Sequence, residues 1–223
     1  MTNFSEPQPT PTRLLGAVAR QRATIALCAC LAPALLFYAA SVWILHVNGF
    51  TVTESLRDPA QLTESSSFWG FLSNAGNAVW VASGTICFFS LFLDHTAHRG
   101  NRELLVWIGV LSLALGFDDF FMIHDRYIDQ RICYVFYAVV TGALAARHLR
   151  RILRIEPIAF FAATALLGGS ILADLLQYAV PIRYTVTQLF EEGLKFCGIA
   201  MWMYFAARVA MDGQGAESEV AEP

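Results

Sequence analysis

Six stretches of the chain stay apolar for about the length of a membrane-spanning helix, and polar residues gather in the short segments between them. The first, at 23–53, contains no Asp, Glu, Lys or Arg. It is far longer than the roughly 7–15 residues of a signal-peptide core, which predicts an uncleaved first span. The others predict spans near 69–93, 104–124, 132–148, 158–178 and 188–209, the fourth being the shortest. The apolar runs are continuous rather than alternating, which points to helices and away from a β-barrel. The expected architecture is an all-α integral membrane protein, a six-transmembrane-helix bundle at 23–211. A Pro- and Thr-rich N-terminal segment, 1–22, and an acidic tail, 212–223, are expected to be disordered. The connection at 49–68, with its Pro and Ser residues, suits an external cap or a short interfacial helix.

Composition agrees with this picture. Of 223 residues, 56% are hydrophobic and 15% charged, whereas soluble domains carry about a quarter charged residues. A net charge of −3 argues against nucleic acid as a partner and leaves the lipid bilayer as the environment, with a homo-oligomer or a membrane partner open. Arg13, Arg20, Arg22, Arg99, Arg102, Arg147, Arg150, Arg151 and Arg154 flank one set of predicted helix ends; Arg57, Arg126, Arg131 and Arg183 flank the other. The positive-inside rule therefore predicts that both termini are cytoplasmic, in a cell inner membrane. The five cysteines form no C-x-x-C and read as small hydrophobes.

Placed on this topology, the ionisable residues collect in one leaflet. The third run ends in Asp118, Asp119, His124 and Asp125, and the fifth carries Ser170, Asp174 and Gln177. The sixth begins with Gln188, Glu191, Glu192 and Lys195, and the second with Ser73, Asn74 and Asn77. All four stretches fall in the outer half. A lone Asp at the centre of a spanning helix costs about 2.5–3.5 kcal/mol, so these carboxylates are expected to face inward and to be paired, hydrated, protonated or bound to a cation. Helical phase puts Asp118 and Asp125 on one face and sets Glu191 one turn from Lys195, the spacing of an intrahelical ion pair.

Three functions fit the pattern. In the first, a divalent metal ion is held by Asp118, His124, Asp125 and Asp174 for hydrolysis of a lipid-like or periplasmic substrate. Glu191 or Glu192 is then the general base, Lys195 stabilises developing negative charge, and Asp119, Asn74, Asn77, Gln177 and Gln188 support them. In the second, the same groups relay protons or cations for transport. In the third, the chain is a non-catalytic membrane subunit whose polar network fixes helix packing.

The polar site near one end of a helical bundle resembles that of the alkaline ceramidase and adiponectin-receptor group. Their Ser-x-x-x-His signature and paired histidines in the last helix have no counterpart beside Glu191, Glu192 and Lys195. Lys195 opposite Asp118 or Asp119 is similar in arrangement to microbial rhodopsins, but on six runs rather than seven. Neither resemblance assigns a residue role.

Overall fold

The computed structural model describes residue 28 and residues 31–66, 68–93, 101–176 and 184–212, mostly helix, with short turns and loops and no strand among them. Two compact units are present, 1–69 and 70–223. In the first, α1 (Ala32–Val47) is a 16-residue apolar helix with Pro33 in its first turn. It lies within the first predicted span, most of whose N-terminal part falls outside the described residues. The connection after it forms two short helices, α2 (Val52–Leu56) and α3 (Pro59–Leu62). Thr51 and Glu54 close a reciprocal capping box on α2, and Asp58 caps α3 through the Ala60 amide at 2.7 Å. The same Thr51 hydrogen bonds hold the Glu54 carboxyl below its ordinary pKa.

Among its described residues, the second unit contains five helices long and apolar enough to cross a membrane. These are α4 (Phe71–Leu93), α5 (Arg102–Phe121), α7 (Gln130–Ile155), α8 (Pro157–Leu176) and α9 (Tyr184–Asp212). A single turn, α6 (Ile123–Arg126), follows α5. Close approach of the helices depends on small residues. A Cβ at Gly84 on α4 would lie 2.8 Å from Leu113 of α5, and one at Gly198 on α9 would lie 2.8 Å from Leu167 of α8. Trp80, Phe160, Trp202 and Phe205 fill the centre, and the buried Trp202 indole donates to Ser112 Oγ at 2.9 Å. Away from this core, α7 stands apart and touches its neighbours sparsely.

Two boundaries differ from the sequence expectation, each for a local reason. The third predicted span does not run through His124, because the chain turns left-handed at Met122 (φ 51°, ψ 45°) and α5 ends there. The fourth, expected to be shortest, extends through the arginines to Ile155 for 26 residues. Arginine is a good helix former and favours the C-terminal end of the helix dipole, so a drop in hydropathy did not mark a helix end. At that end Arg147 pairs with Glu103, and Arg154 reaches Asp212 at 3.5 Å. Asn101 donates to Asp212 at 2.8 Å. Asp212 is thus the last helical residue of α9 rather than part of a tail. Cys87 and Cys133 are buried, whereas Cys28 and Cys197 are exposed.

A left-handed conformation costs a non-glycine residue roughly 1–2 kcal/mol. Met122→Gly is expected to raise the unfolding free energy in detergent by about 1 kcal/mol, and Met122→Ile to lower it by about 1–2 kcal/mol. Denaturant titration followed by circular dichroism measures both.

Candidate functional site

The break at Met122 builds one end of the site. It folds α6 back so that the Asp118 carboxylate, in the last turn of α5, accepts two hydrogen bonds from His124. One comes from the backbone amide to Oδ1 and the other joins ring Nδ1 to Oδ2, each at 3.0 Å. Asp118 is buried, and it fixes both the position and the ring plane of His124. Nε2 of the same ring lies 3.5 Å from Asp125, whose side chain is exposed.

Two further contacts cross between helices. Lys195 of α9 donates to Oδ1 of Asp119 on α5. The Tyr134 hydroxyl of α7 donates to Oδ2 of Asp174 on α8 at 2.8 Å. The His124 and Tyr134 rings lie side by side, with centroids 5.9 Å apart. Asp119 is left half satisfied, because its side chain is only 9% exposed and its Oδ2 is buried without a hydrogen-bond partner.

These groups form one end of a cavity of about 410 Å³ between α5, α7, α8 and α9, with Trp80 of α4 contributing to its inner wall. Asp118, Asp119, His124, Tyr134, Asp174, Glu191 and Lys195 occupy the polar end. The remainder is mostly apolar, with Leu111, Phe160, Phe161 and Trp202 along it. From Glu191 to Trp202 the wall follows α9 for about 16 Å. Small residues on α7 and α8 leave the space open: Ala138, Gly142 and Ala145 on one side, Gly168 on the other. A Cβ placed at Gly142 or Gly168 would meet nothing within 4 Å. Exposed Gly142, Gly168 and Phe161 in the wall give the cavity a lateral face. At the polar end His124 also borders an open depression formed by residues 124–131.

A family model matches residues 21–209. The chain belongs to the family described as Domain of unknown function (DUF8692). No curated protein and no solved structure matches it.

In this DUF8692 chain, part of the polar set expected from sequence comes together and part does not. Asp118, Asp119, His124, Asp174, Glu191 and Lys195 share the cavity. Asp125 lies outside it, exposed, because the turn at Met122 interrupts the helical phase that would have aligned it with Asp118. Lys195 pairs across to Asp119 rather than along its own helix to Glu191. Glu192, Asn74, Asn77 and Gln188 are absent from the cavity wall; Asn77 is buried and Asn74 and Gln188 are exposed. Gln177 lies outside the described residues. Among the described residues no three His, Cys, Asp or Glu side chains are grouped as a metal ion would require. Of the four expected ligands, Asp118 and Asp125 contact opposite nitrogens of the His124 ring, and Asp174 is engaged by Tyr134 instead.

Tyr134, Tyr137 and Trp202 escaped the sequence reading. Their signal was present on α7, where two tyrosines three apart lead into small residues at 138, 142 and 145. That pattern marks a helix face with both hydrogen-bonding tips and empty volume.

Removing one member of a buried ion pair strands the other, at a cost of about 3–5 kcal/mol for fully buried pairs. Lys195 is a quarter exposed, so Lys195→Met is expected to lower stability by about 2–3 kcal/mol. Adding Asp119→Asn should restore most of that loss, and Tyr134→Phe should cost about 1 kcal/mol. A double-mutant cycle on unfolding free energies tests the first pair, and the single variant tests the second.

Proposed function

We propose that this protein is a six-span inner-membrane protein, with both termini cytoplasmic, that binds a lipid-like amphiphile inside its helical bundle. The observation that carries this reading is the shape of the cavity, a long apolar body closed by hydrogen-bonding and charged groups at one end. Its volume lies within the roughly 300–1,000 Å³ of small-molecule sites. The chain of an amphiphile would lie against Leu111, Phe160 and Trp202, and its head group among Asp119, Tyr134, Glu191 and Lys195. The small residues on α7 and α8 leave a route by which a lipid-like molecule would enter from the side.

This reading replaces the metal-assisted hydrolysis suggested by the sequence, because the acids are held in separate pairs rather than around a shared point. The pairs by themselves resemble a packing network. The cavity goes further, since packing alone gives no reason to leave open volume among charged side chains, and Oδ2 of Asp119 is buried there without a partner. A relay for transport receives less support: away from the polar end, the wall offers the hydroxyl groups of Tyr137, Thr141, Thr164 and Ser170 among mostly apolar side chains.

Mass spectrometry of protein purified gently from membranes should detect a co-purifying lipid-like species. Gly142→Phe fills the cavity from a position with room for a side chain and should reduce that species by about tenfold, a change of about 1.4 kcal/mol in binding. Gly142→Ala should retain it. Identical lipid content in wild type and Gly142→Phe would overturn the reading.

A further inference from the structure

We infer that the head group accepted by this cavity is a cation, an ammonium carried on a long alkyl chain; the inference rests on the amphiphile reading above. Among the described residues, the polar end holds the carboxyl groups of Asp118, Asp119, Asp174 and Glu191 against one lysine and one histidine. Most of this polar capacity is already committed. Asp118 is taken by the ring and amide of His124, Asp174 receives Tyr134, and Lys195 is bound to Asp119.

Two acceptors at this end are left without a hydrogen-bond partner among the described residues. One is Oδ2 of Asp119, buried without a partner on a side chain 9% exposed. The other is Glu191, half-buried on α9 one turn before Lys195, with no hydrogen bond or ion pair to another described residue. An anionic head would enter among carboxylates whose nearest lysine is already engaged. A neutral hydroxyl would donate a single hydrogen bond and leave the excess negative charge uncompensated in a low-dielectric site. An alkylammonium brings three N–H donors and a positive charge, which the unpartnered Glu191 and the excess of carboxylates would receive. The apolar body behind them distinguishes a long-chain amine from a small soluble cation.

The test uses the full chain in phosphatidylcholine nanodiscs. Three ω-bromoalkyl probes of equal length are added, an amine, an alcohol and a sulfate. Bromine quenches tryptophan fluorescence on contact, and both Trp80 and Trp202 line the cavity. The Gly142→Phe protein supplies the blank for quenching by probe dissolved in lipid. The amine should quench above the blank at concentrations about tenfold below the alcohol, and the sulfate should not exceed the blank. Glu191→Gln, which keeps shape and volume, should abolish the amine's advantage while leaving quenching by the alcohol.

Equal quenching by amine and alcohol, strongest quenching by the sulfate, or an amine preference unchanged by Glu191→Gln would each overturn the cationic assignment while leaving amphiphile binding in place. No quenching above the blank by any probe would overturn amphiphile binding itself. Competition separates the two sources of positive charge. Unbrominated long-chain amine should displace the probe, and ethylammonium at the same concentration should not. Displacement by ethylammonium would assign the site to a small cation and remove the chain from the proposal.

Discussion

A carboxylate held among membrane-spanning helices must find a donor, and in this bundle each buried acid finds a different one. Asp118 takes His124 from the turn that follows its own helix, Asp119 takes Lys195 from α9, and Asp174 takes Tyr134 from α7. The polar contacts therefore tie α5 to α6, α5 to α9 and α7 to α8. They surround a space instead of filling it. Without this division among partners, the acids would repel one another and α5, α8 and α9 could not hold their polar ends together in a medium that supplies little water.

The left-handed residue Met122 makes that division possible. Had α5 continued, Asp118 and Asp125 would have shared a face and His124 would have pointed along the helix. Ending α5 at Phe121 lets the chain return, so that a histidine six positions on reaches the carboxylate of Asp118. Strain of about 1–2 kcal/mol at Met122 is offset by two hydrogen bonds to an ionisable group, each of which contributes more than a neutral one.

How much of this was legible in the sequence depended on the scale of the signal. Five spanning helices followed from runs of apolar residues, because spanning hydrocarbon demands length and continuity and little else. The gathering of Asp118, Asp119, Asp174, Glu191 and Lys195 near one end also followed, since each sits at the polar end of its run. Partner choice did not follow. Lys195 is equally well spaced for Glu191 on its own helix, and only the packing of α9 against α5 makes Asp119 the nearer acid. Tyr134 drew no notice in the sequence, and the empty volume beside Gly142 and Gly168 belongs to no single residue. A cavity is a property of how helices are spaced, and periodicity along one helix contains no record of it.

The length and uneven tethering of α7 have a mechanical consequence. At 26 residues it is about 39 Å long against roughly 30 Å of hydrocarbon. Its arginine-bearing end is clamped by Glu103 and Asp212, while the opposite end is joined to α8 by the Tyr134 latch. Both ends of the rod are therefore fixed by side-chain contacts rather than by an extensive packed face. The hydrogen bond from Tyr134 to Asp174 thus bridges α7 and α8 across the polar end of the volume they enclose.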